Sequence, residues 1–228
     1  MRSAMTAVDP VVEARARQSL GTSHDAIYRM VKAALDTRRI RGGRFVDVGC
    51  GSGSLWPFVA DRFDRYCGLD AVLYEGFPRD AEFHPVDLDS PVWPVAAGSA
   101  DVVAAVDTIE HLENPWAFVR RLATMAAPGG WVAVTTPNQL SALSLITLLV
   151  KRRFSAFQDV HFPAHRTALL ETDLRRIFAE AGLSDVDVRY SGSGRIPLTP
   201  WHYPAGLAVI APRRFSDNVL VMGRRHRD

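Results

Sequence analysis

Residues 46–53 read Val46-Asp47-Val48-Gly49-Cys50-Gly51-Ser52-Gly53: the end of a short apolar run that starts at Phe45, with an acid inside it, then three alternate glycines, followed by a helix-like stretch from about Leu55. A strand that turns abruptly into a helix needs glycine where the backbone takes unusual dihedrals and where a ligand must approach the main chain without a Cβ in the way. Gly49, Gly51 and Gly53 supply those positions, and the segment reads as a nucleotide-cofactor loop. Its spacing is G-x-G-x-G, whereas the G-x-G-x-x-G of pyrophosphate-binding dehydrogenases would put a third glycine at Ser54. Asp47 widens the difference, because a carboxylate there repels a pyrophosphate and suits a ligand carrying an ammonium group. The plain alternative is a glycine-rich turn with no ligand.

Working outward, Tyr66-Cys67-Gly68-Leu69-Asp70 is a second short apolar run ending in an acid, 17 residues past Gly53. That is close to the roughly 20-residue offset at which a carboxylate meets ribose hydroxyls in such folds, so Asp70 is the ribose candidate. A third run, Phe83 to Val86, ends in Asp87-Leu88-Asp89, and a fourth, Asp101 to Val106, ends in Asp107. A single acid after a strand is ordinary turn chemistry. Four runs in series that each deliver an acid or glycines at their ends mark the carboxyl edge of an open parallel sheet, where ligands bind.

These segments resemble the class I S-adenosylmethionine-dependent methyltransferases over roughly residues 40 to 190. The similarity rests on VDVGCGSG (46–53), CGLDA (67–71), VDLDSPVWP (86–94), DVVAAVDTIEHLENP (101–115) and PGGWVAVTTPN (128–138). The Glu110-His111 pair and the Pro-Gly-Gly strand are similar to the small-molecule type that includes the quinone-biosynthesis O-methyltransferases. The resemblance implies an α/β fold: a doubly wound, Rossmann-like, mostly parallel seven-stranded sheet with an antiparallel C-terminal strand pair. It also implies S-adenosylmethionine as cofactor, with the methionine moiety near Asp47, Gly49, Cys50 and Gly51, the ribose on Asp70 and the adenine beside Asp87 and Leu88. Asp107 would face the sulfonium and the substrate.

Composition agrees with one enzyme domain. At 228 residues and 47% hydrophobic content the chain buries a large core, and its net charge is only +2. Lys32 and Lys151 are the sole lysines, and no dense basic patch interleaved with aromatics appears, so nucleic acid is not the expected partner. Cys50 and Cys67 give no disulfide framework, no C-x-x-C and no cysteine metal set. Asp9 and Glu13 precede any apolar run, and no window reaches the ~18 apolar residues of a membrane span. A cytoplasmic protein is the expectation.

Periodicity organises the rest. Residues 1–20 are polar and rich in Ala and Arg, which predicts a loose or partly helical arm ahead of a domain over 21–228. Ala26, Ile27, Met30, Val31, Ala34 and Leu35 recur at helical spacing before the first strand. Asn114-Pro115 is an N-cap and first helical residue; the helix buries Phe118, Val119, Leu122 and Met125 and is closed by Pro128-Gly129-Gly130. Trp131–Thr135 is the fifth strand, Leu174–Ala181 a helix closed by Gly182, and 183–190 and 218–222 the final strand pair.

Residues 139–170 form the expected cap. Within it, 139–150 is nearly all apolar apart from Ser141, Ser144 and Thr147, a thin polar stripe that continues to Lys151. A helix of ~12 residues covers ~18 Å, too short for a ~30 Å hydrocarbon core. With Lys151, Arg152 and Arg153 following, the 139–154 segment either packs on its own domain, roofs an apolar substrate pocket or makes peripheral membrane contact. Methyl transfer to a hydroxyl or protonated amine needs a base, and histidine serves near neutral pH. His111 and His161 are the catalytic candidates, with Tyr28, His161 and His165 as substrate contacts; the alternative for each histidine is a structural or exposed role. The Asp/Asn-Pro-Pro-Tyr of amino-methyltransferases is absent, since Asp107-Thr108-Ile109-Glu110 stands in its place. The expected function is O-methylation of a small-molecule acceptor. A nicotinamide-dependent oxidoreductase and a non-catalytic cofactor-binding or scaffolding protein are the rivals.

Overall fold

The computed structural model describes residues 8–227; the first seven residues of the arm lie outside them. Its strands are β1 (Arg44–Val48), β2 (Arg65–Asp70), β3 (Glu82–Pro85), β4 (Ala100–Ala105), β5 (Ala126–Pro137), β6 (Leu183–Tyr190) and β7 (Asn218–Arg225). They form one sheet in the order β3-β2-β1-β4-β5-β7-β6. The first five pair in parallel, and β7 runs antiparallel between β5 and β6. The doubly wound sheet and its antiparallel terminal pair are therefore as the sequence predicts.

Both faces of the sheet are covered because its strands carry apolar side chains on both sides of the pleat. On one face Phe45, Tyr66, Val102, Ala104, Leu220 and Met222 pack against α2 (Asp25–Thr37), which contributes Ile27, Met30, Val31 and Leu35. On the other, Val46, Val48, Val103, Val132 and Val221 pack against α4 (Pro115–Met125) and α6 (Glu171–Glu180) through Phe118, Leu122, Leu174 and Phe178. Full burial of each such side chain contributes ~1.5–3 kcal/mol, so these two layers hold the sheet rigid beneath whatever its edge presents. Chain order reverses between β1 and β4. The carboxyl ends of these adjacent strands diverge into a crevice, the position at which open α/β sheets bind ligands.

Three local expectations change, whereas the arm is partly helical, as one of its two readings had it. The described part of the arm is ordered as α1 (Pro10–Gln18), with Asp9 capping the amide of Val11 and Tyr74 Oη donating to the Ala16 carbonyl. The helix after the glycine loop is a single turn, α3 (Trp56–Val59). Pro128-Gly129-Gly130 does not close α4, which ends at Met125; those residues lie inside β5. The apolar cap helix is α5 (Ala142–Lys151), shorter than 139–154, and its polar stripe faces inward. Ser141 accepts from the Ser144 amide as N-cap, and Ser144 Oγ donates to Gln139 and accepts from the Ser155 amide. Ile146, Leu149 and Val150 are left on the surface. Between β6 and β7 the chain also forms α7 (Ala205–Ile210), which the sequence did not announce.

Candidate active site

The β1 loop is built for close approach. Gly49 has φ +72°, and a Cβ there would lie 2.3 Å from Thr108 Oγ1; Gly51 has φ +51°, and a Cβ there would meet the Gly21 carbonyl at 2.1 Å. No L side chain satisfies either position. Asp70 ties the loop down from β2, accepting from the Gly51 amide at 2.9 Å through Oδ2 and from the Val72 amide at 3.1 Å through Oδ1. Asp47 is buried and accepts from Tyr66 Oη at 2.8 Å. Asp107, with φ +46°, accepts from Thr135 Oγ1 at 2.8 Å.

These three carboxylates and the loop line one cleft of about 570 Å³. Burial raises all three acids, Asp47 to about 7 with the Asp70 charge adding to the effect. A cleft this size with glycine-floored walls and three carboxylates that form no ion pair among the described residues fits a ligand that brings its own ammonium and hydroxyl groups. α1 and the turn behind it close one side. Arg15 pairs with Asp89 at 3.2 Å, and Ser52 donates to the Gly21 carbonyl through its amide and hydroxyl.

Opposite the loop, the chain after α5 brings two histidines to His111. His111 Nδ1 lies 3.0 Å from the Ala164 carbonyl, and His165 Nδ1 lies 2.7 Å from the Ala156 carbonyl. A carbonyl only accepts, so both Nδ1 atoms carry the proton and both Nε2 atoms are bare in the neutral rings. The rings meet edge to face, with centroids 4.8 Å apart. Burial lowers the basicity of both, that of His165 to about 4 with the charge of His111 adding to the effect. His161 is the reverse: its Nδ1 accepts from the Gln158 amide, which puts the neutral ring's proton on Nε2. Beneath the pair lies Glu110, fully buried, with Oε2 accepting from Thr136 Oγ1 at 3.2 Å and Oε1 without a hydrogen-bond partner among the described residues. Burial, then the neighbouring Asp107 charge, pushes this carboxyl well up.

Asp47, Gly49, Cys50, Gly51, Asp70, Asp87, Leu88, Asp107, Tyr28, His111, His161 and His165 all border this cleft; Gly53 does not, and packs against Pro78 instead. α5 is not part of the wall. The roof comes from Val160 to His165. Arg15, Ser23 and Glu110 also border the cleft; sequence reading gave them no role there, since an arm residue and a buried acid carry no periodic signal. The single-residue pairing Glu110-His111 was the one available hint.

Comparison with known proteins gives the same picture. The model of the family described as "Methyltransferase domain" matches residues 5–188. The chain is 28% identical over 170 residues to a ubiquinone biosynthesis O-methyltransferase of Chromobacterium violaceum, covering 70% of this chain and 72% of that protein. It is 34% identical over 111 residues to the protein of the same name from Albidiferax ferrireducens, where the match spans only 44% of this chain and 43% of the relative. In fold it is similar to an S-adenosylmethionine-dependent methyltransferase from Archaeoglobus fulgidus, with a TM-score of 0.63 at 15% identity, covering 95% of this chain and 100% of that one. With the family model spanning most of the chain and the sheet edge shaped for such a ligand, this protein belongs to the methyltransferase-domain family, and it is an enzyme whose cofactor is S-adenosylmethionine.

Proposed function

We propose that the enzyme methylates a hydroxyl of a small, largely apolar acceptor. The supporting observation is that the bare Nε2 edges of His111 and His165 border the same cleft as the glycine loop and its three carboxylates. In this reading Asp47 holds the cofactor's ammonium, Gly49, Cys50 and Gly51 leave room for its methionine chain, Asp70 takes the ribose, Asp87 and Leu88 border the adenine, and Asp107 faces the sulfonium. The bound cofactor supplies an already activated methyl group. The protein's task is then alignment, worth on the order of 7–11 kcal/mol, and removal of the acceptor's proton. His111 and His165 are the groups with a lone pair available for that proton. Tyr28 Oη accepts from the Ser23 amide at 2.7 Å, so its own hydrogen is free to meet the acceptor. Val160 and Phe162, apolar and exposed at the cleft mouth, favour a greasy acceptor. No sequence or structural feature of the loop favours the nicotinamide reading.

Asp47 gives this assignment a pH signature. Its carboxyl is held protonated up to about pH 7 by burial, whereas an ammonium beside it favours the ionised form. Binding below that pH must first expel a proton, so affinity for S-adenosylhomocysteine should rise by up to about tenfold per unit as pH climbs from 6 towards 7, then level off. Calorimetric titration at several pH values checks this, with NADH expected to show no saturable binding. A flat profile would remove Asp47 from the ammonium.

Among the described residues no helix is long and apolar enough to cross a membrane. The outward face of α5 supports peripheral contact instead: Ile146, Leu149 and Val150 are exposed beside Lys151, Arg152 and Arg153, a pattern suited to an anionic lipid interface. In co-sedimentation with anionic vesicles, Leu149→Glu with Val150→Glu should lower bound protein by at least about tenfold, with melting temperature unchanged because both side chains already lie in water. Equal sedimentation of the variant would discard the contact.

A further inference from the structure

We propose that Arg15 is a specificity-determining residue of the acceptor pocket, and that the acceptor carries a carboxylate as well as the hydroxyl to be methylated. Several acids border the cleft, yet among the described residues Arg15 is the one arginine or lysine that lines it. Its place follows from the face of α1. Val12, Arg15, Ala16 and Ser19 recur at helical spacing and all border the cleft, whereas Arg17 pairs with Glu13 away from it. The Arg15 side chain is only 15% exposed, and among the described residues its guanidinium makes one hydrogen bond, from Nη2 to Asp89 Oδ2 at 3.2 Å. A guanidinium carries five N–H donors in a planar fork that matches a carboxylate two bonds at a time. With one donor used at that length, the fork has donors left for a ligand.

The anchor that aims Arg15 is itself held. Asp89 Oδ1 accepts from the Glu113 amide at 3.0 Å, and the Asp89 amide donates to Asp87 Oδ1 at 3.0 Å. Arg15 is thus pinned between the loop after β3 and the far end of the turn that carries His111. Burial lowers the basicity of His111 and the charge of Arg15 adds to that, so the guanidinium is felt at the acceptor end of the cleft. The cofactor has no use for this cation. In the proposed arrangement its carboxylate and ammonium lie with Asp47 and the glycine loop, and the adenine beside Asp87 and Leu88 is uncharged. An anion for Arg15 comes from the acceptor.

This inference deepens the proposed function and rests on it for the hydroxyl and for the place of the cofactor. A carboxylate on Arg15 does two things at once. It orients an otherwise apolar acceptor by a pair of directed bonds, and it offsets the cation near His111, so that the imidazole takes the acceptor's proton against less opposing charge. The two readings fail separately, because acid recognition is read from binding without turnover. Methyl transfer to hydroxyl acceptors with no preference for an acid would leave the proposed function standing while this inference fell.

Full-length protein saturated with S-adenosylhomocysteine is titrated by calorimetry at neutral pH with hydroxybenzoate, hydroxyphenylacetate and hydroxycinnamate. Each is compared with its primary amide, which keeps the size and the hydroxyl and removes the charge. Hydrogen bonds to a charged partner are worth about ten- to a hundredfold in affinity, so at least one acid should bind at least about tenfold tighter than its amide. Arg15→Gln should bring that ratio to about one, and Arg15→Lys, which keeps the charge and loses the fork, should restore part of it. Tyr74→Phe removes another tie of α1, the bond from Tyr74 Oη to the Ala16 carbonyl at 2.9 Å, and leaves the cation in place. It should keep the ratio, which a merely structural role for Arg15 would not separate from the Arg15→Gln result. Retained binding of S-adenosylhomocysteine shows that each variant is folded. No acid preferred over its amide, a preference that survives Arg15→Gln, or one lost equally in Tyr74→Phe would overturn the proposal.

Discussion

His111→Ala should keep its affinity for S-adenosylhomocysteine within about threefold and lose ~10²–10⁴ of its turnover, the range set by general acid–base groups. The two halves of that expectation come from different parts of the cleft. His111 sits on the turn after β4 with its ring locked by Ala164, whereas the proposed cofactor contacts other than Asp107 come from the β1 loop, β2 and the end of β3. A His111→Ala enzyme that keeps most of its turnover at pH 7 would take the residue out of the reaction and leave alignment as the whole of catalysis.

Asp70→Asn is the second large effect, and it falls on binding. Each Asp70 oxygen already accepts one backbone amide, from Gly51 and from Val72, which leaves its remaining lone pairs for ribose hydroxyls. Replacing one oxygen by an amide NH2 turns an acceptor into a donor facing another donor. Hydrogen bonds to a charged group are worth ~1.5–3 kcal/mol, so the dissociation constant for S-adenosylhomocysteine should rise about ten- to a hundredfold. Asp70→Ala is the poorer test, because it would also orphan the Gly51 and Val72 amides at ~1–3 kcal/mol each and destabilise the loop. Unchanged affinity in Asp70→Asn would detach the second strand's acid from the ribose.

Most of the sheet and the β1 loop as far as Gly51 were legible because the signals are local. Glycine at 49 and 51 answers a steric demand of the backbone itself, and an acid at or just past a strand end points to the same edge in any parallel sheet. α5 shows where that reading stops. Spacing by three put Ser141, Ser144 and Thr147 on one face, but period alone does not say which face meets water. Here an N-cap and a buried serine bridge to Gln139 and Ser155 turn the polar face inward, and leucine and valine are left outside. Of the alternatives the sequence left for this segment, a roof over the cleft falls to residues 160–165 and not to α5.

The histidine cluster was legible as a list and not as a cluster. His111 and His165 meet because two amides after His165 bond the Glu110 carbonyl, a contact across more than fifty residues that no local pattern encodes. Glu110 was seen only as half of a sequence pair. Its burial and its unpartnered oxygen depend on Thr136 of β5 and on the packing around it. Residues 191–217 lack periodicity altogether, which is why α7 went unread.

The most direct measurement follows the methyl group. The enzyme is incubated with S-adenosylmethionine labelled in that methyl and a panel of apolar hydroxylated aromatics, amines and carbon acids, and the atom bonded to the label in any product is identified by NMR. The account predicts label on oxygen, only in acceptors bearing a hydroxyl, and lowered in step with turnover in His111→Ala. Label on nitrogen or carbon, or tight binding of S-adenosylhomocysteine with no labelled product across the whole panel, would contradict it.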